Sequence, residues 1–341
     1  MSSAWQSPLA AEEIARDAKW LAQALDPAAG VVRLIAMDAE AYRAASFLDD
    51  RLMQLPVDAQ LVPWPQIDAA MQGDLRADAR WIFHIGHVGS TLVSRLLGEI
   101  TGVLAVREPR LLRDLAISPA EVRAQYIGPV AKLMSRTFDD DQLACVKATS
   151  FASEIAPELV PSGERALFMY ATVGRYIANI LAGENSLKEL HALAPVRARR
   201  LANRGICLSG PRNDADLAAA AWACEMTALE AGAEAMTACP IMWADFDAML
   251  ADMPAGLGRV SDFFGFGADE IAIHAIAGGP LMQRYSKALE FEYTPSLRQQ
   301  VIAGAAQSHG RDIDGALAML RAASEKSPLL ARAVHRGGSE S

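Results

Sequence analysis

The chain offers little to a metal or to a disulfide framework. Its four cysteines, Cys145, Cys207, Cys224 and Cys239, include no C-x-x-C pair. Buried reduced thiols in a cytoplasmic protein are the expectation, and no metal is required. No apolar run reaches the roughly 18 residues of a membrane span. The stretch Met1 to Asp17 is polar and acidic, so neither a secretory leader nor a membrane partner is expected. Positive charge is in deficit: 32 Lys and Arg stand against 41 Asp and Glu, for a net charge of −9 and a pI near 5.2. A general nucleic-acid binder would carry a basic footprint instead. There is no internal repeat. What remains is a chain of 341 residues, 52% hydrophobic, long enough for one large α/β domain or a domain with a cap.

The most informative stretch runs from Arg80 to Leu97. Trp81-Ile82-Phe83-His84-Ile85 reads as a buried strand, and Leu92, Val93, Leu96 and Leu97 repeat at helical spacing. Between them lie Gly86, His87, Val88, Gly89, Ser90 and Thr91. Glycines let the backbone approach a ligand closely. The first amides of a helix lack intrahelical partners and point at an anion, which the helix dipole also favours. The hydroxyls of Ser90 and Thr91 add donors. An ordinary tight strand-to-helix turn is the competing reading. An ATP-binding loop reads G-x-x-x-x-G-K-[ST]. Laid on that pattern, His84 stands at the first Gly and Ser90 at the Lys, so the phosphate-reaching lysine is missing.

The segment His87-Val88-Gly89-Ser90-Thr91-Leu92 resembles the 5′-phosphosulfate loop of sulfotransferases, R-S-G-T-T-L or K-S-G-T-T-W after a strand. His87 falls where that family has Lys or Arg. The resemblance continues in order to about residue 266. A second strand, Val103 to Val106, ends in Arg107-Glu108-Pro109, a run that recurs in sulfotransferase-like proteins. A third, Leu143 to Lys147, ends in Lys as in the family, but Thr149 and Ser150 follow where the cytosolic branch has its His. The fourth, Arg165 to Ala171, leads into the place of the 3′-phosphate motif R-[DN]-P-x-x-x-x-x-S. Here Ala171, Val173 and Asn179 stand at Arg, Pro and Ser, so Arg175 and Asn179 are the substitutes on offer. After a helix from Asp214 to Ala238 and a fifth strand from Pro240 to Trp243, Trp243-Ala244-Asp245-Phe246 stands for Y-E-D-L and Phe263-Phe264-Gly265 for F-L-G. Arg284 and Lys287 stand for the basic segment that closes the nucleotide site.

The resemblance implies a P-loop NTPase-like, three-layer α/β/α fold with a mainly parallel sheet. It further implies transfer of a sulfuryl group from PAPS (3′-phosphoadenosine-5′-phosphosulfate) to a hydroxyl or amine of a small-molecule acceptor. Gly86 to Thr91 would hold the phosphosulfate. His87 would stabilise the transferring group, Glu108 would be the base, and Lys147 would take part in the site. A small-molecule kinase using the same cradle and a non-catalytic P-loop protein stay open beside it, as does a homodimer. The expected organisation is an extension or cap over residues 1–79, a core over 80–330 and a flexible tail over 331–341. In the extension, Ala10 to Leu25 and Ala39 to Leu55 read as helices and Val31 to Ala36 as a strand, together an edge-strand-and-helix addition to the main sheet.

Overall fold

Three short strands come first, and they form a sheet of their own. β1 (Trp20–Asp26), β2 (Val31–Ala36) and β3 (Ala59–Pro63) pair antiparallel in that order. This computed structural model describes residues 9–284 and 294–338. β2 has the bounds its apolar run predicts, but β1 lies inside the stretch expected to be helical. The helix there covers only Ala11–Arg16. Asp17 ends it in an extended conformation and its carboxylate accepts from the Lys19 amide at 2.8 Å. Beyond it, Trp20 to Leu25 are buried residue after residue, and cross-strand pairing to Val31–Ala36 overrides the helix propensity of the alanines. The N-terminal part is therefore a separate antiparallel sheet, not an addition to the main one. Core residues tie it down. Asp114 accepts from the Leu25 amide at 3.0 Å, and Arg136 donates to the Trp20 carbonyl at 2.6 Å.

The main sheet has five strands, all parallel: β4 (Arg80–His84), β5 (Val103–Arg107), β6 (Leu143–Lys147), β7 (Ala166–Tyr170) and β8 (Ile241–Asp245). Their spatial order is β5-β6-β4-β7-β8, so the strand before the glycine turn is central. Helices flank the sheet, which is the expected α/β class. Parallel strands covered on both faces need continuous apolar runs, and Trp81, Ile82 and Phe83 are fully buried. Along one face an aromatic row crosses the strands. Trp81 stacks on Phe83, Phe83 meets Phe168 edge-on at 5.8 Å, and Phe168 meets Trp243 at 5.1 Å. In this strand order the chain leaves β4 toward one side and later crosses to the other. Such a reversal opens a crevice at the carboxyl ends of the strands.

The C-terminal stretch departs from the expected flexible tail. Pro328–Gly337 is a helix whose Leu330 and Ala333 are fully buried. Its glycine backbone lies so close to Trp222 that a Cβ on Gly337 would come within 2.2 Å of the indole. Arg336 lies over the Trp243 ring at 3.8 Å and pairs with Glu230. The alternation of apolar and polar residues is short here and looks solvated in isolation; tertiary contacts with the Asp214–Ala235 helix fix it. Truncating the buried leucine, Leu330→Ala, is expected to lower unfolding free energy by about 2–5 kcal/mol in urea titrations. A free tail would give no change.

Candidate functional site

The turn after β4 has a backbone that few sequences tolerate. Gly86, His87 and Gly89 all have positive φ, at 79°, 55° and 68°. Left-handed residues in a tight turn aim successive amides toward one side, the backbone form of an anion-accepting concavity. Gly89 is the N-cap of the helix Ser90–Leu97, and no side chain caps it. Among the described residues, no protein acceptor is paired with the amides of Val88, Gly89, Ser90 or Thr91. Four donors and the positive end of a helix thus face one cleft of about 380 Å³.

Side chains from three elements hold the turn. His84 Nδ1 accepts from the Gly86 amide at 3.0 Å, which places the imidazole proton of the neutral ring on Nε2, 3.0 Å from the Ala148 carbonyl. Asn179 donates to the His87 carbonyl at 2.9 Å. From behind, the Phe246 ring fills the space a side chain on Gly89 would need; a Cβ there would lie 2.0 Å from the ring. Gly89 is thus required twice, by conformation and by packing. Gly89→Ala is expected to cost at least about 2 kcal/mol, combining left-handed strain with overpacking. Urea unfolding measures this directly, and a loss under 0.5 kcal/mol would show that the turn is not held as described.

Across the cleft, Glu108 and Lys147 arrive from the ends of β5 and β6. Lys147 Nζ donates to Glu108 Oε1, and the Glu108 amide donates to the Lys147 carbonyl at 2.7 Å. The Lys147 side chain is 1% exposed. Glu108 itself has φ 53°, an unusual conformation for a residue with a side chain. Burial alone would raise the Glu108 carboxyl. The Lys147 ammonium and His84, whose Nε2 lies 3.7 Å from Glu108 Oε1, outweigh it and hold the carboxyl well below the usual carboxylate range. The group is a buried carboxylate at neutral pH.

The other expected residues distribute differently. The His87 ring lies 3.4 Å from both Glu189 Oε1 and Ser186 Oγ, at the cleft rim. Arg175 does not line the cleft and pairs with Asp247 at 3.0 Å. Asp247 also accepts from Arg298, whose guanidinium lies 5.0 Å from the Phe246 ring centroid. Burial pushes the Asp247 carboxyl up, but the two arginines outweigh that and hold it low. Asn179 meets the turn's carbonyl rather than its amides. Arg284 is exposed at the end of a short 3₁₀ helix, Pro280–Gln283, and Lys287 lies outside the described residues. Several lining residues received no site role from the sequence, among them His84, and Phe47 and Arg51 from the N-terminal part. His84 could have been found from its place at the last position of the strand before the turn. Phe47 and Arg51 are set by tertiary contacts alone.

No family model and no curated protein matches the chain. Among solved structures, a sulfotransferase domain from the curacin biosynthetic pathway aligns over 70% of this chain and 99% of its own, at 11% identity and a TM-score of 0.42.

The Glu108–Lys147 pair makes a pH-dependent prediction. A carboxyl with a lowered folded-state pKa contributes stability that is fully present above its unfolded value, about 4.5, and is lost as pH falls toward the folded value. Glu108→Gln leaves a buried ammonium without its counter-charge and is expected to cost about 3–5 kcal/mol. In urea titrations the gap between wild type and Glu108→Gln is expected to stay flat from pH 8 to 5 and to close below about 4.5. A gap that instead shrinks between pH 8 and 6 would contradict the assignment.

Proposed function

We propose that the cleft binds the oxyanion end of an activated nucleotide and transfers a sulfuryl group to a hydroxyl or amine acceptor. The observation that carries this reading is the set of amides from Val88 to Thr91, unpaired among the described residues, at a helix N-terminus that shares its cleft with a buried lysine. That set fits the 5′-phosphosulfate end of PAPS, whose charge would lie on the four amides and the hydroxyls of Ser90 and Thr91. When bound, PAPS supplies an electrophilic sulfur and a phosphate leaving group. The loop sequence, with its likeness to the phosphosulfate loop of sulfotransferases, supports this choice of donor over others.

The chain's own groups then have defined tasks. The amides stabilise negative charge without reorganising, because the turn is already curved. An anion in the cradle competes with Glu108 for the Lys147 ammonium. As Lys147 turns toward the anion, Glu108 loses its main counter-charge and its carboxyl becomes more basic. Glu108 is then placed to take the acceptor's proton, held near His84, whose own ring is fixed by Gly86 and Ala148. His87 at the rim supplies a donor to the group in transfer when its ring turns from Glu189. The 3′-phosphate is the weaker part of the fit, because Asp247 already engages Arg175. This favours a donor site that reads the phosphosulfate end more strongly than the ribose phosphate.

The test is thermal unfolding of the purified chain with adenosine 3′,5′-bisphosphate, with ATP and Mg²⁺, and with neither. Saturation at 100 times the dissociation constant adds roughly 2.7 kcal/mol. Stabilisation by the bisphosphate, lost in Thr91→Val and accompanied by transfer from PAPS to a phenol panel, is the expected result. Preference for ATP and Mg²⁺ would replace the reading with a kinase, and indifference to both would leave a non-catalytic protein.

A further inference from the structure

The cleft continues past the Glu108–Lys147 pair to a wall with no task in holding a donor. The middle of that wall is apolar. Phe47 comes from the N-terminal part, Phe151 from the segment after β6, and Leu193 from the helix Glu184–Asn203. The buried Phe47 ring has its centroid 5.9 Å from Lys147 Nζ and 3.3 Å from the Arg51 guanidinium, so one ring joins the Glu108–Lys147 pair to a further cation. The Arg200 guanidinium lies 4.3 Å from the Phe151 ring centroid and steadies the second ring.

Arg51 and Arg113 add charge to this wall. Arg51 is already engaged, because its Nε donates to Asp49 Oδ1 at 2.8 Å. Arg113 is exposed, and among the described residues no carboxylate is paired with it. Arg110, one turn earlier, is held by Asp50 at 2.7 Å and by Asp114 at 3.2 Å. The contact with Asp50 pins the start of the helix Arg110–Ile117 against the 3₁₀ helix Asp50–Gln54. Residues three apart share a helix face, so Arg113 reaches the cleft on the side where Arg51 stands. Such a wall selects by charge. An ammonium-bearing molecule would meet like charge there. A carboxylate matches the planar guanidinium fork with two parallel hydrogen bonds. A dianionic phosphate would call for a second uncommitted cation, and Asp49 holds Arg51.

On the reading of this cleft as a sulfuryl-transfer site, we infer that the acceptor carries a carboxylate: it is a hydroxyl- or amine-bearing molecule whose apolar body lies against Phe47 and Phe151 and whose carboxylate is read by Arg113. Arg113 then sets specificity, holding one end of the acceptor so that the other comes to Glu108.

The experiment titrates the full chain calorimetrically with 3-(4-hydroxyphenyl)propionate, its primary amide and tyramine, each with and without saturating adenosine 3′,5′-bisphosphate. The propionate is expected to bind about tenfold more tightly than the amide, and tyramine more weakly than either. Arg113→Ala is expected to erase the difference between propionate and amide, and Arg113→Lys to keep part of it. Thermal stabilisation by the bisphosphate is expected to be the same in both variants as in the wild type. Equal affinity for propionate and amide, a preference for tyramine, a propionate preference that persists in Arg113→Ala, or displacement of the propionate by the bisphosphate would overturn the inference and leave the transfer reading standing. No stabilisation by the bisphosphate, with the Arg113-dependent preference intact, would instead overturn the transfer reading and uphold Arg113 as the group that reads the carboxylate.

Discussion

The cleft depends on the curvature of one short turn. Three of the four residues from Gly86 to Gly89 hold positive φ, and one of them, His87, has a side chain that disfavours it by about 1–2 kcal/mol. Such a backbone persists only where its surroundings over-determine it. Here a ring nitrogen of His84 takes the first amide, Asn179 takes the His87 carbonyl, and Phe246 closes the space behind Gly89. Each comes from a different element, so β4, the helix Val173–Leu181 and the helix Phe246–Ala251 must be in register for the amides to converge. The aromatic row from Trp81 to Trp243 supplies that register by locking β4, β7 and β8 face to face.

Charge placement follows a second rule: cations near the turn are held by carboxylates. Glu108 holds Lys147, and Asp247 holds Arg175 together with Arg298. Breaking such buried pairs leaves a bare charge, whereas exchanging one counter-ion for another does not. Under the proposed function, an incoming oxyanion would meet Lys147 at a smaller desolvation cost than an unpaired buried lysine would have imposed on folding.

Much of this was legible in the sequence where a signal was local and periodic. β2 and β6 carry the bounds their apolar runs indicate, and the strand, turn and helix from Arg80 to Leu97 follow from glycines set between two hydrophobic periods. The N-terminal sheet was hidden because Trp20 to Leu25 is rich in alanine and leucine, equally able to be helix until β2 pairs with it. The last helix was hidden because its burial depends on Trp222, more than a hundred residues earlier. At the site, Glu108 and Lys147 stand out at strand ends, but their direct pairing depends on β5 lying beside β6, which no local motif encodes. Arg175 looked free for the same reason. Its partner Asp247 follows a strand two places from β4, and only the topology brings them together.

That topology also bears on the missing lysine of the turn. Ser90 occupies the position, and its short side chain, buried in the first turn of the helix, lines the cleft without bringing a positive charge. β6 runs parallel to β4 with Lys147 opposite Ile82, so its ammonium enters the cleft from the neighbouring strand rather than from the loop. A cation on a strand is more rigid than one on a turn, because the ladder fixes its backbone and the core fixes its stem. It can then be shared between a resident carboxylate and an anion at the amides by a side-chain rotation alone. Under the proposed function, that sharing couples anion binding to the basicity of Glu108: the same movement that places positive charge on the donor frees the carboxylate to accept a proton from the acceptor.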